Sequence, residues 1–242
     1  MKKELFSFLC GIEESILGDI IIISPCITFS DLKIFSKNIT YKFSGNVYRG
    51  CNLNMGRNNI TFIKSPQGAT FIGDLILSLS RNNYKAIIFF GYAGLLKDIA
   101  AGTLFIIDTA YNGEGFSRYI LCTKTFDVKI LDNYHPDPEL KEKAKQIFKD
   151  ALVGSIYTTG SFCMEFLNRK FIKAVKGGNI DLIDLEVSAF YSACAYKKLK
   201  SIGFCLATDN VLQQTILKIG VSYKDLIFCK QKAFLKKIVN LI

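Results

Sequence analysis

The amino-acid sequence predicts a single α/β domain whose central sheet is covered by helices on both faces. The 242 residues correspond to about one and a half average domains, and half of them are apolar, which is enough for a sizeable core. Short strand-like runs are apolar on both faces instead of alternating, and segments with helical spacing follow them. Because no linker, repeat or low-complexity block interrupts this pattern, we expect residues 1–242 to form one domain.

Residues 1–94 contain three expected strands and one expected helix. Each strand is a β-branched run that ends at a turn residue: Pro25 after the first and Gly91 to Gly94 after the third. The helix has apolar residues at helical spacing. The expected strands are 19–24, 59–64 and 85–90, and the expected helix is 69–80.

The rest of the chain continues the same alternation. A further strand is expected at 104–109, and the sequence from His135 to Glu139 places prolines and acids where the first turn of a helix accepts them. That helix is expected to run to about Asp150. The remaining expected elements are a strand at 179–183, a helix at 188–198, a strand at 202–208 and a lysine-rich helix from about Tyr223.

Charge and histidine content exclude several classes of function. The chain has 31 Lys and Arg against 21 Asp and Glu, but only five of the cations are Arg. The densest lysine runs have helical apolar spacing, so we interpret them as solvated helix faces and expect no nucleic-acid partner. A single histidine, His135, excludes a site with two imidazoles and argues against a Ser-His-Asp triad. We expect no bound metal.

Cysteine usage and hydropathy indicate the compartment. Eight cysteines form no C-x-x-C pair and most lie in apolar runs, which is typical of buried free thiols under reducing conditions. The N-terminal segment has no clean signal-peptide core, and no apolar run approaches the ~18 residues of a membrane span. The sequence therefore predicts a cytoplasmic protein without a membrane contact.

Two acidic turns stand out between residues 179 and 210. If this segment is a right-handed βαβ unit, its two strands are parallel and are expected to be neighbours. Glu186 and Asp209 would then face one cleft at the carboxyl ends of the strands, where open α/β sheets bind ligands. The turn from Gly91 to Gly94 would offer backbone amides to the same cleft. The alternative is that Asp184 and Asp209 only cap helices.

Four motifs in order resemble the nucleoside phosphorylase/nucleosidase superfamily, which includes purine nucleoside phosphorylase, uridine phosphorylase and methylthioadenosine/S-adenosylhomocysteine nucleosidase. Taken singly they are loose, but their order and spacing match over about residues 60 to 240. The resemblance implies a three-layer α/β/α sandwich around a mixed, largely parallel sheet. The motifs are Gly91–Leu95 with Lys97–Leu104, Asp137–Leu140 (DPEL), Ile183–Ala189 (IDLEVSA) and Ala207–Asn210 (ATDN).

The resemblance also implies roles for individual residues. Glu186 would bind the ribose hydroxyls above Leu185, and Asp209 would protonate the base or hydrogen-bond to it. Phe162 would stack on the base with Cys163 beside its edge. The amides of Gly91, Tyr92 and Ala93 would line the cleft. The ligands implied are a nucleoside and phosphate, without a cofactor, in a homo-oligomer that is a dimer or a hexamer.

Departures from the family pattern bear on the reaction. Where phosphorolytic members carry an arginine before the glycine motif, this chain has Phe89, and Pro25–Ser30 replaces their phosphate loop. Arg49 is the remaining candidate phosphate ligand. We therefore expect hydrolysis of a purine-type nucleoside, although the Glu that activates water in hydrolytic members is also absent and Glu13 and Glu14 are expected on the wrong side of the sheet. The alternatives are phosphorolysis and binding of a nucleoside or base without turnover.

Overall fold

The computed structural model describes residues 2–115, 132–161, 169–211, 213 and 221–241. Within these ranges a mixed sheet of ten strands lies between two layers of helices, which confirms the predicted fold class. The strands are β1 (Ile20–Ser24), β2 (Ile39–Ser44), β3 (Arg49–Met55), β4 (Asn58–Lys64), β5 (Ala86–Leu95), β6 (Leu104–Gly113), β7 (Asn133–Tyr134), β8 (Leu152–Thr159), β9 (Leu182–Asp184) and β10 (Ser201–Asn210).

Six α-helices and two short 3₁₀ segments are described alongside the sheet. The helices are α1 (Lys2–Cys10), α2 (Ala69–Ser78), α3 (Pro138–Ile147), α4 (Arg169–Gly177), α5 (Val187–Tyr196) and α6 (Val221–Ile238). The 3₁₀ segments are Glu14–Ile16 and Asp31–Asn38. No described helix is long and apolar enough to cross a bilayer.

The sheet is open on one side and closed into a ring on the other. Four parallel strands in the order β4-β1-β5-β10 form its centre, and the hairpin of β2 and β3 extends it antiparallel beyond β4. On the other side β10, β6, β8 and β9 lead back to β5, so these five strands form a closed ring. Strand β5 therefore belongs to both parts of the sheet.

Two large apolar clusters fill the space between the sheet and its helices. On one face, Ile21, Ile23 and Phe89 pack with side chains of α1, α2 and α5. On the other face, Ile20 and Ile22 pack with side chains of α3, α6 and the second 3₁₀ segment. Every residue of β1 is buried because alternate isoleucines contribute to opposite clusters, as the continuous apolar run predicts.

The expected strands and helices are present, with corrected ends. The strand expected to stop at Phe90 continues through Gly91–Gly94 to Leu95, because β10 pairs with it along this whole stretch. The expected helix 69–80 ends at Ser78. The sequence pattern predicts no element at β2, β3, β7, β8, α1 or α4; β2 and β3 carry several exposed or half-buried polar side chains that hide the strand pattern.

The expected pairing of the strands around residues 179–210 is wrong. Strand β9 runs antiparallel to β5 and pairs with it at Gly94 and Leu95, whereas β10 runs parallel to β5 on its opposite edge. Strands β9 and β10 are therefore separated by β5 and run in opposite directions. The βαβ assumption fails because β5, from the first half of the chain, inserts between them.

Candidate active site

One edge of β5 is left open where its two neighbours on that side part. Strand β1 pairs with β5 from Ala86 to Phe89, and β9 pairs with it at Gly94 and Leu95. Among the described strands, none pairs with residues 90–93 on this edge. Since β1 and β9 run in opposite directions here, the gap is the kind of crevice in which open α/β sheets bind ligands.

Backbone groups of β5 point alternately to the open edge and to β10. The carbonyl of Phe90 lies 3.7 Å from the Cys26 thiol and the amide of Leu96 donates to Asp181, both on the open side. The carbonyl of Ala93 accepts from Thr208 of β10. By this alternation only Tyr92, of the three residues Gly91, Tyr92 and Ala93, presents its amide to the open edge, and the other two amides face β10.

Glu186 lies at the open edge with its carboxylate between two helix beginnings. It immediately precedes α5, and its Oε1 accepts a hydrogen bond of 2.7 Å from the amide of Gly68, directly before α2. Gly68 has a φ of +111°, which a glycine tolerates and other residues rarely adopt. The Glu186 side chain is only 4% exposed, so few water molecules solvate its charge.

Asp184, two residues earlier, performs the capping that the sequence left as an alternative. Its carboxylate accepts from the amides of Val187 (2.7 Å) and Glu186 (3.1 Å) and from the hydroxyl of Thr158 (2.7 Å). These bonds satisfy donors at the start of α5. The Glu186 carboxylate is therefore not needed as a cap.

The two buried carboxyl groups influence each other. Burial raises the pKa of Glu186 above its ordinary value, and the negative charge of Asp184 raises it further, against the opposing effect of the Gly68 amide. Burial also raises the pKa of Asp184, and the charge of Glu114 adds to it, while the hydrogen bonds to Asp184 act in the opposite direction. Glu114, which the sequence reading missed, is buried and accepts 3.1 Å from the hydroxyl of Ser188.

Asp209 lies across β5 from β9. It pairs with Gly94 on one edge while Ile183 pairs with Gly94 on the other, which places the two backbones about 10 Å apart, twice the strand spacing. Its Oδ1 accepts 2.9 Å from the Thr208 hydroxyl. Burial raises the pKa of Asp209, with the Thr208 bond acting in the opposite direction. Burial therefore makes this carboxyl group easier to protonate than a solvent-exposed aspartate.

Tyr223 of α6 faces this carboxyl group. Its pKa is raised to about 12, first by burial and then by the negative charge of Asp209. Its hydroxyl is buried and has no hydrogen-bond partner within the described ranges. The sequence reading placed Tyr223 only at the start of a helix, because its approach to Asp209 is a tertiary contact.

Of the remaining base- and sugar-binding candidates, Leu185 lies within the described residues. Leu185 is half-buried in the turn between Asp184 and Glu186. Phe162 and Cys163 lie outside the described residues. Their proposed stacking and edge contacts therefore remain predictions.

Arg49 lies beside a second cation that the sequence reading did not connect to it. Arg49 of β3 pairs directly with Lys64, the last residue of β4, and both line a cavity of about 290 Å³. Burial lowers the pKa of Lys64, and the charge of Arg49 also lowers it. The hydroxyl of Ser65, 2% exposed, lines the same cavity and has no partner among the described residues. Two cations and an unpaired hydroxyl suit an oxyanion.

The loop after β1 joins this cavity to the open edge. Lys64 Nζ donates to the carbonyl of Pro25, and the Cys26 thiol lies 3.3 Å from the Ser24 hydroxyl. Burial raises the pKa of Cys26 to about 12, with Lys64 lowering it and Glu186 raising it among the smaller effects. Cys26 therefore lies close to both Lys64 and Glu186, as a neutral thiol.

Among the described residues, few carboxylates at this end of the sheet could activate water. Asp31 is buried, and its Oδ2 accepts from the amide (2.6 Å) and hydroxyl (2.7 Å) of Thr28. Glu14 is at the other end, where its carboxylate accepts from the amides of Ser80 and Arg81 ahead of β5. Its position agrees with the expectation that Glu14 lies on the wrong side of the sheet.

Phe89, at the position of the family's arginine, is buried in the core. Its ring centroid lies 5.5 Å from that of Phe190 in α5. No cation reaches the open edge from this position. Among the described residues there is also no group of three or more His, Cys, Asp or Glu side chains arranged to hold a metal ion.

Comparison with known proteins identifies relatives in sequence and in fold. A purine nucleoside phosphorylase of the DeoD type from Buchnera aphidicola subsp. Schizaphis graminum is 25% identical over 166 residues, which cover 66% of this chain and 64% of that protein. The matched part therefore spans slightly less than two thirds of that relative's length.

Two solved structures share the fold. Purine nucleoside phosphorylase from Toxoplasma gondii, in complex with immucillin-H, has a TM-score of 0.77 at 20% identity, covering 95% of this chain and 94% of that one. The 5'-methylthioadenosine/S-adenosylhomocysteine nucleosidase from Neisseria meningitidis, in complex with methylthio-immucillin-A, has a TM-score of 0.70 at 14% identity, covering 92% and 99%. A model of the phosphorylase superfamily matches residues 28–220, and this chain belongs to that superfamily.

Proposed function

We propose that the chain cleaves the N-glycosidic bond of a purine-type nucleoside by hydrolysis. The proposal rests on one observation above all: the buried carboxyl group of Glu186, which is not needed to cap α5, lies at the unpaired edge of β5, with Asp209 across the same strand. A carboxylate that accepts hydrogen bonds suits ribose hydroxyls, and a neutral carboxyl group suits a departing base.

In the proposed reaction the bond between the ribose C1' and the base nitrogen breaks and its electron pair moves to the base. Asp209 donates its proton to the base, so the base leaves as a neutral molecule. The oxygen of a water molecule bonds to C1', and the proton that the water loses restores Asp209 through the solvent. The products are free ribose and the base.

Glu186 would hold the sugar during this change. Its carboxylate would accept hydrogen bonds from the two ribose hydroxyls, and these bonds strengthen as positive charge develops on the sugar ring. The amide of Tyr92 at the open edge would supply a further donor to the bound nucleoside. Leu185 would pack beneath the sugar, and Phe162 and Cys163 would contact the base.

A nucleoside panel tests the proposal directly. The protein is incubated with purine and pyrimidine nucleosides, with and without inorganic phosphate, and the sugar product is identified by mass spectrometry. Hydrolysis gives ribose in both conditions. Ribose 1-phosphate formed only with phosphate contradicts the hydrolytic reaction, and binding without any product contradicts turnover.

Phosphorolysis is the second candidate, and the cavity of Arg49, Lys64 and Ser65 favours it. Phosphate bound there would be held by two cations and a hydroxyl in place of the family's usual arginines. Arg49→Gln and Lys64→Gln would then raise the KM for phosphate at least tenfold and leave the Kd for the nucleoside unchanged. The third candidate, a nucleoside- or base-binding protein without turnover, is separated by the same panel.

We further propose a cytoplasmic homo-oligomer, a dimer or a hexamer, in which residues 1–242 act as one domain. Sedimentation velocity of the purified chain measures the oligomeric state, and a monomer at micromolar concentration contradicts it.

A further inference from the structure

A second cavity lies away from the open edge of β5, between α6, the end of α3 and the turn before β6. Its volume is about 320 Å³, at the lower end of the range for small-molecule sites. None of Glu186, Asp209 or Arg49 lines it. One wall is the tight turn Ala100–Thr103, in which the Thr103 amide donates to the Ala100 carbonyl and Gly102 has a φ of +84°.

The floor of this cavity is apolar and aromatic. Phe148 and Phe234 lie nearly parallel, with centroids 5.5 Å apart and an interplanar angle of 22°, and Leu206 of β10 lies beside them. All three are at most 3% exposed, so the floor is fixed by the core behind it. Phe234 also stacks on Phe90 of β5 at 4.2 Å. Because these rings stack on one another, the floor offers a ligand only a small apolar part of each ring, and an apolar group fits against it.

The rim of the cavity is basic. Lys230, Ala233, Phe234 and Lys237 have the i, i+3, i+4, i+7 spacing of one helix face, so the two lysines lie about 10 Å apart on either side of the floor. Neither lysine forms an ion pair with a carboxylate in the described parts of the chain. Of the described residues that line the cavity, Asp150 is the one acid, which leaves an excess of positive charge among them.

From these observations we propose that this cavity is a second ligand site, for a small aromatic anion of one or two rings. The rings would contact the exposed parts of Phe148 and Phe234, and the anionic group would lie between Lys230 and Lys237. The small side chain of Ala233 leaves the mouth between the lysines open. The proposal is independent of the reaction at the open edge.

The test uses 2-naphthoate as the probe, with 2-naphthamide as a ligand of the same ring and no charge. Binding to the full chain is measured by isothermal titration calorimetry at low ionic strength. We expect saturable binding of 2-naphthoate, at least tenfold weaker binding of 2-naphthamide, and at least a tenfold loss of 2-naphthoate affinity in the double variant Lys230→Gln/Lys237→Gln.

Two further variants locate the site. Lys236→Gln removes a neighbouring exposed lysine that does not line the cavity, and its affinity should equal that of the parent chain. Ala233→Trp fills the mouth and should abolish binding, with circular dichroism confirming that the helix content is unchanged. Absence of saturable binding, equal affinity for the two probes, or equal losses in Lys236→Gln and the double variant would each overturn the proposal.

Discussion

Replacing the Glu186 carboxyl group with an amide should make the protein more stable and weaken its binding of a nucleoside. In the parent chain the Gly68 amide donates a hydrogen bond of 2.7 Å to Glu186 Oε1. The glutamine of Glu186→Gln keeps an oxygen that can accept this bond. The substitution removes a buried ionisable group next to Asp184. Stability should rise while nucleoside binding weakens only if the charged form of Glu186 binds the ligand and does not stabilise the fold.

The stability change follows from the proton balance. Burial and the Asp184 charge raise the pKa of Glu186 above its ordinary 4.5, so the folded chain binds more protons than the unfolded chain at any pH between the two values. Stability therefore falls as pH rises through that window. Each pH unit between the two pKa values costs about 1.4 kcal/mol, or about 3–5 °C in Tm for a chain of this length.

At pH 7.5 we expect the Tm of Glu186→Gln to exceed that of the parent chain by at least about 3–5 °C. This difference in Tm should shrink toward pH 5. Differential scanning fluorimetry across that range measures both. Glu139→Gln, at an exposed position on α3, is the control and should not change the difference between pH 5 and pH 7.5 in this way. A lower Tm for Glu186→Gln at pH 7.5 would refute the reasoning.

The binding change follows from the hydrogen bonds. Burial and the Asp184 charge raise the pKa of Glu186 to about 8, so the group is charged above that pH. There a bond to a charged acceptor contributes about 1.5–3 kcal/mol, so weakening two ribose bonds removes about 3 kcal/mol, roughly a hundredfold in kcat/KM. The assay is the initial rate with whichever nucleoside of the panel is cleaved, or the Kd where none is. An unchanged value would exclude the ribose contact.

Three other variants test separate parts of the structure. Asp209→Asn should abolish turnover while the nucleoside Kd stays within about tenfold, as measured by rates and calorimetry, and an active variant would exclude the acid role. The two carboxylate oxygens of Glu14 together accept four hydrogen bonds, and Glu14→Gln replaces one of these oxygens with an NH₂ donor. We therefore expect the free energy of unfolding to fall by about 3 kcal/mol and the Tm to lie about 6 °C below that of the neighbouring, exposed Glu13→Gln. Because these hydrogen bonds lower the pKa of Glu14, its stabilising contribution is present above the ordinary pKa of 4.5 and is lost as pH falls through the lowered pKa. Gly68→Ala should cost about 1–3 kcal/mol through its positive φ and weaken nucleoside binding, and an unchanged Tm by calorimetry would contradict the strain.

The central strands were predictable because their sequence pattern is local. Residues 19–24 and 85–90 are apolar throughout, and such runs form strands that are covered on both faces. The end of β5 was not predictable in the same way. Its glycines are typical of a turn, but pairing with β10, more than a hundred residues later, keeps them extended.

The candidate site was predictable in its residue types and not in its arrangement. Glu186 and Asp209 were expected to face one cleft from neighbouring parallel strands, and the structure places them on either side of β5. Lys64 gave no signal of its own because a lysine at the end of a strand is common. Its approach to Arg49 and Cys26 depends on strand register and on the path of the loop after β1.

The bond between Gly68 and Glu186 joins residues that are 118 positions apart in the chain. Contacts of such long sequence separation form slowly, because closing the intervening loop costs entropy before the contact stabilises anything. Helices α2 and α5 can each begin to form before this bond exists. We therefore expect a refolding chain to regain its circular dichroism first and its capacity to bind a nucleoside last, so that the lag between the two signals measures the closing step of folding.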